Sequence, residues 1–254
     1  MSDVVRYEID GDVVWVTMDR PDAHNALNRA VREGLFAAIR RFDGDDAAKV
    51  MVLTGSGDRA FSAGGDLKEM AEASLQVPPP DFLPRLGHNI HTAKPVIAAV
   101  NGIAYGGGFL LAQMCDLCIA ADTASFGITE ARWGRGAPWA APLPWLIAPR
   151  VALELLMTAE PISAQRAYEV GLVNKVVPLR ELREATQTMA QRIADNAPLS
   201  VRAGKAMVYE AAEQGLRGAM DAGDRFFEAA YTSDDAQEGP RAFREKRKPN
   251  WQGR

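Results

Sequence analysis

An α/β fold is predicted for this chain by three features of its pattern. Two buried, strand-like runs, at residues 49–54 and 95–100, each lead into a glycine cluster placed just before a helix-forming stretch. Strand and helix patterns alternate up to Pro178, and only helical patterns follow it. At 254 residues with 47% apolar letters, the chain is long enough for one large domain with a real core plus a smaller appendage. A boundary is expected near Pro198, dividing the chain into 1–197 and a helical 198–254.

Residues 4–10 and 12–19 read as two short strands joined at Gly11, the second alternating Val13, Trp15 and Thr17 against Val14, Val16 and Met18. The loop 19–28 carries a proline and two asparagines, and Asn28 suits the N-cap of an amphipathic helix over 29–42. The strand at 49–54 runs through Gly55-Ser56-Gly57 and Ala60-Phe61-Ser62 to Gly64-Gly65 and a helix over 66–73. Residues 74–84 contain Pro78, Pro79, Pro80 and Pro84, so they cannot be regular and are read as a mobile flap. A helix over 85–92 is expected to feed the central strand.

That central strand, 95–100, is a continuous apolar run with Val96, Ile97 and Val100, the mark of a strand covered on both faces. Asn101-Gly102 ends it, and after Ile103 to Tyr105 come Gly106, Gly107, Gly108 and a helix-forming run over 109–114. Unpartnered N–H groups and the positive end of the dipole at such a helix start can hold an anion, and a missing Cβ lets a ligand approach closely. No Lys-Ser/Thr follows the glycines and no GxGxxG spacing occurs, so neither nucleotide loop fits. Close helix–strand packing alone is the competing explanation. Further on, short strands are expected at 118–121 and 125–127, then a segment dense in Trp, Pro and Ala over 133–149. Helices over 151–158 and 163–170, a strand over 172–177, and helices over 179–196, 199–214, 216–231 and 233–246 complete the chain.

A formal charge of −4 and a pI near 5.5 argue against non-specific nucleic-acid binding. No apolar run approaches ~18 residues and the first residues do not resemble a signal peptide, so no membrane span is expected and the cytoplasm is the expected compartment. Cys115 and Cys118 have CxxC spacing, but no second ligand pair accompanies them and His24, His88 and His91 show no partner spacing. They read as two buried thiols, His88 and His91 read as a solvated face, and no metal is expected.

Five segments carry a wider likeness: AFSAGGDLKEM (60–70), KPVIAAVNGIAYGGGFLLAQMCD (94–116), FGITE (126–130), ISAQRAYEVGLVNKVV (162–177) and AFREKRKPNW (242–251). In this order and spacing, across essentially the whole chain, the sequence resembles the enoyl-CoA hydratase/isomerase, or crotonase, family. The resemblance implies a crotonase-like ββα superhelical core with a C-terminal α-helical trimerisation region, in a homotrimer or hexamer. It implies stabilisation of an acyl-CoA thioester enolate by the backbone N–H groups of Gly65 and Gly107, with Glu130 as general acid/base. CoA recognition carries over to Ala23, His24, Ala63, Asp66, Leu67 and Lys68, and to Phe243 and Lys246, which in the family can come from a neighbouring subunit. The basic run Lys246-Arg247-Lys248 would supply positive charge for the anionic CoA. Coenzyme A is then part of the substrate, and no separate cofactor is implied.

The chain departs from the family's hydratase pattern at two places. Those hydratases commonly have a second glutamate just after the glycine triplet, where this chain has Leu110; and GAPWAA (136–141) stands where many have a small GAGG-type stretch, putting Trp139 near the acyl end, as a wall of the acyl pocket or as a core or subunit-contact residue. Hydration of a 2-enoyl-CoA is the family default. Migration of a double bond by Glu130 alone, as in Δ3,Δ2-enoyl-CoA isomerases, is the alternative that Leu110 favours, and a non-catalytic CoA-binding protein is the third.

Overall fold

In the computed structural model, which describes residues 4–254, the first two strands form the expected hairpin. β1 (Val5–Asp10) pairs antiparallel with β2 (Val13–Met18), Arg6 opposite Thr17, and Gly11 turns the chain at φ 61°. Every residue of β2 is buried despite its alternating pattern, because α1 (Arg29–Asp43) and a later helix both pack against it. Asn28 caps α1 by accepting the Val31 N–H, a bond worth about 1 kcal/mol.

The chain then repeats one unit. β3 (Val50–Gly55) is followed by β4 (Ala60–Ser62) and α2 (Leu67–Glu72), and β5 (Val96–Val100) by β6 (Ile103–Tyr105) and α3 (Gly107–Gln113). β7 (Leu117–Ala121) is followed by β8 (Ser125–Gly127) and a 3-10 turn, Glu130–Trp133. The first strand of each unit joins one sheet, ordered β1-β2-β3-β5-β7 and parallel from β2 onward; the second joins another, where β4, β6 and β8 are parallel neighbours. Repetition of ββα turns in this way is the superhelical core.

A 3-10 turn (Pro138–Ala140), α4 (Leu143–Leu146) and α5 (Pro149–Thr158) lead to β9 (Ile162–Ser163), which adds antiparallel to β8. Then α6 (Ala164–Glu169) leads to β10 (Lys175–Val177), which adds parallel to β7. A 3-10 turn (Leu179–Glu181) opens α7 (Leu182–Ala194), which lies across β2, β3, β5 and β7. α8 (Pro198–Tyr231) and α9 (Asp234–Glu245) finish the chain. Among the described residues no helix is long and apolar enough to cross a membrane.

Two expectations change. Residues 85–92 are not a helix: Gly87 sits at φ 81°, Leu86 bridges to Ile90, and the Asn89 side chain takes the Arg85 N–H and donates to Pro80 O and Leu83 O. A local side-chain network has replaced the helical ladder there. The expected helices 199–214 and 216–231 are assigned as one, α8, but Gly215 inside it has φ 70° and ψ −179°, so two helical runs meet at a kink. Residues 74–84 have no regular structure apart from turns, in keeping with their prolines.

Candidate active site

Three loops leave the carboxyl ends of the neighbouring parallel strands β4, β6 and β8, and that topology gathers Gly64-Gly65, Gly106-Gly107 and Glu130. Contact between the first two loops is close. A Cβ built on Gly64, whose φ is 92°, would stand 2.7 Å from Tyr105 O and 3.1 Å from Gly107 N. Gly106, at φ 53°, faces the third loop, where a Cβ would lie 3.1 Å from Glu130 Oε1. A Cβ on Gly108 would fall 2.2 Å from Ser62 O, so this glycine sets the approach of α3 to β4. Leu27 Cδ1 and Leu83 Cδ1 close around Gly107, at 2.8 and 3.1 Å from the place its Cβ would take.

Neighbouring backbone groups are bonded: Leu27 N–H donates to Gly64 O, Gly106 N–H to Gly127 O and Leu110 N–H to Gly106 O. Among the described residues, the N–H groups of Gly65 and Gly107 donate to no protein acceptor. Gly107 opens α3, where such groups are free by construction.

Glu130 is partly buried, and its Oε2 has no hydrogen-bond partner among the described residues. Burial pushes its carboxyl above the usual glutamate range, outweighing its own backbone N–H and the Trp139 side chain, which pull it down. Trp139 is half-buried, with its ring 6.0 Å from that of Phe109 and its carbonyl accepting from Gln113 Nε2. Leu110, 3% exposed, brings no carboxylate to the glycine loop.

The other sequence-predicted residues fall into two groups. Ala23 ends a 3-10 turn (Pro21–Ala23); His24 follows at φ 50°, accepts the Ala63 N–H on its carbonyl, and has an Nδ1 buried without a partner. Asp66 caps α2 and pairs with Arg20 at 3.0 Å; burial raises its pKa, but Arg20 and the N–H groups of Glu69 and Lys68 outweigh this and hold it below the usual value. Leu67 is 54% exposed and Lys68 is exposed. These six residues lie on the segments that join the glycine loops. Phe243, 88% exposed, and Lys246, the αL cap of α9, lie instead on the last helix. Arg247, between two lysines, is engaged by Glu238 and Glu245, and among the described residues Lys246 and Lys248 have no acid partner.

Several organising residues were not among the predicted site residues. Asn25 is fully buried, donating to Ser56 O and Ala60 O and accepting from Arg20 N–H. Ser62 donates to Asn25 O and accepts from Gly64 N–H, and Asn101 bonds Gly55, Gly57 and Ala60. Together they fix the path of the first glycine loop. Cys115 and Cys118 are buried free thiols, with Cys118 pushed up to about 12 by burial and Cys115 also raised by it. No cluster among the described residues could hold a metal ion. A groove of about 400 Å³ beside Arg6, Thr17, Thr54 and Arg183 contains none of the predicted site residues.

The family described as enoyl-CoA hydratase/isomerase has a sequence model that matches residues 8–254. A carnitinyl-CoA dehydratase from Salmonella typhi is 38% identical over 265 residues, covering 100% of both chains. Among solved structures, an enoyl-CoA hydratase from Bacillus anthracis superposes with a TM-score of 0.91 at 33% identity, covering 99% of this chain and 100% of that one. An enoyl-CoA hydratase from Mycobacterium tuberculosis does so with a TM-score of 0.89 at 35% identity and 99% coverage of each. With the ββα core, the paired glycine loops and this full-length likeness all in agreement, the chain belongs to the enoyl-CoA hydratase/isomerase family.

Proposed function

We propose that the protein adds water to, or removes it from, the α and β carbons of an acyl-CoA thioester. One observation carries this reading: two glycine loops with free N–H groups meet beside the buried carboxyl of Glu130. The thioester oxygen accepts from Gly65 and Gly107, which form an oxyanion hole for the enolate. In hydration, Glu130 takes a proton from water as the water oxygen bonds Cβ and the C=C electrons move to the thioester oxygen. The enolate then collapses, and Glu130 returns the proton to Cα. Dehydration is the reverse, and the dehydratase and hydratase names of the relatives favour it or its forward form.

Leu110 favours a second reading. With no second carboxylate to hold water, Glu130 can move one proton from Cα to Cγ of a 3-enoyl-CoA and leave the conjugated 2-enoyl product. Purified protein mixed separately with a 2-enoyl-CoA and a 3-enoyl-CoA separates the two, read by the absorbance of the conjugated thioester. Loss of signal from the first supports hydration, and gain from the second supports migration. No change with either, across straight, branched and aromatic acyl chains, would overturn both and leave a CoA-binding protein without turnover.

CoA lies along Ala23, His24, Ala63 and the start of α2. Asp66 acts there through its backbone, since its carboxylate is committed to Arg20 and the α2 cap. Phe243 and Lys246 reach the CoA of the same or a neighbouring subunit in a trimer or hexamer built on α8 and α9. Exposed Leu216 (80%), Met220 (67%) and Tyr231 (76%) give α8 an uncovered apolar surface. Sedimentation is expected to give a trimer or hexamer, and a monomer at micromolar concentration would refute the assembly.

A further inference from the structure

We infer that Arg32 is a positioning residue that locks the flap 74–84 and the start of α2 around the Gly65 and Gly107 donors. The inference rests on the enolate reading above, but its geometry stands apart from any substrate. Arg32 lies in α1 with its side chain 13% exposed, outside every segment the family motifs mark. Its guanidinium makes three contacts with three different segments. Nη1 donates to Leu27 O at 2.9 Å and to Glu69 Oε1 at 2.7 Å, and Cζ sits 4.1 Å from the centroid of the Phe82 ring.

Each contact leads to a donor. Leu27 bridges to Gly65, donates its N–H to Gly64 O, and presses Cδ1 against Gly107. Glu69 belongs to α2, which begins two residues after Gly65, and its Oε2 also accepts the Arg29 N–H. Phe82 immediately precedes Leu83, whose Cδ1 is the second wall at Gly107. Arg20 repeats the arrangement on the other side, donating to Ala26 O and Asp66 Oδ2. These two guanidiniums thus tie residues 26–27 to Asp66 and Glu69 at the start of α2, and of the two Arg32 is the one that also reaches the flap. A planar, always-charged fork suits this role: it bonds two oxygens in its plane and stacks on a ring through its face, which an ammonium cannot do.

Arg32→Met keeps most of the apolar stem and removes all three contacts, and Arg32→Lys keeps the charge without the stacking fork. Two readouts are needed. Chymotrypsin should cut the Phe82–Leu83 bond faster in Arg32→Met than in the native chain, since Pro84 disfavours the next site. That readout does not depend on turnover. With an acyl-CoA that the native protein turns over, kcat should fall about 10–100-fold in Arg32→Met, as expected for a small misplacement of the donors. Arg32→Lys should recover only part. If Arg32→Met does not fold, Phe82→Leu, which leaves the Glu69 pair in place, should still lower kcat without lowering Tm. Native protection from chymotrypsin together with native kcat in these variants would overturn the inference. A native protein with no turnover would instead refute the enolate reading, and the protease arm would still decide the clamp.

Discussion

Glu130→Gln is expected to slow turnover of the acyl-CoA by ~10²–10⁴-fold, the usual worth of a positioned general acid/base. Gln keeps the volume and an acceptor but cannot exchange a proton near neutral pH. Free CoA should bind as before, because Glu130 follows β8 while the residues proposed to face CoA lie on other loops. In the native enzyme, the acidic limb of kcat/KM should lie above the ordinary glutamate value, since burial raises this carboxyl. A raised carboxyl means the folded state holds the proton more tightly than the unfolded chain. Glu130 therefore costs stability at neutral pH, and that cost fades as pH falls through its folded value. The Gln variant should accordingly melt no earlier than the native protein at pH 7 while being nearly inactive. Low activity together with a lowered Tm would instead mark Glu130 as structural.

Gly107→Pro removes one proposed oxyanion donor at the first position of α3, a position that tolerates proline's fixed φ. Turnover should fall ~10²–10³-fold, the loss typical of one such donor. Added atoms would meet Leu27 Cδ1 and Leu83 Cδ1, both flexible ends, so Gly107→Ala is the steric control. It keeps the N–H and should lose much less. If the two variants are equally impaired, crowding rather than the lost donor is responsible, and the oxyanion role of Gly107 fails.

The fold was legible wherever the signal was local. Gly11, Asn28, Gly64-Gly65, Gly106 and Gly215 each turn, cap or break the chain at the place their letters indicate, and the apolar runs around Val52 and Ile97 are covered strands. β4 and β9 were not expected, because strands of two or three residues are defined by their partners β6 and β8 rather than by periodicity. Residues 85–92 had the composition of a helix, and Asn89 undid it through side-chain bonds to Pro80 O and Leu83 O, which neither composition nor periodicity encodes. In the candidate site, glycine loops and Glu130 were readable as motif letters. Asn25, Arg20 and Arg32 were not, since each acts across 31 or more residues, as in Asn25 to Ser56 and Arg32 to Glu69, or through a ring 4.1 Å away.

Exchange of the α-hydrogens of a saturated acyl-CoA in deuterium oxide isolates the shared step, because it needs neither water addition nor a double bond. Glu130 would take a proton from Cα, the thioester oxygen would hold the resulting charge against Gly65 and Gly107, and a deuteron would return to Cα. Mass spectrometry of the recovered thioester should show deuterium at Cα with the native protein, and far slower uptake with Glu130→Gln and Gly107→Pro. Uptake by Glu130→Gln at the native rate, or none by a native protein that turns over an enoyl-CoA, would contradict an enolate held between these two glycines and deprotonated by Glu130.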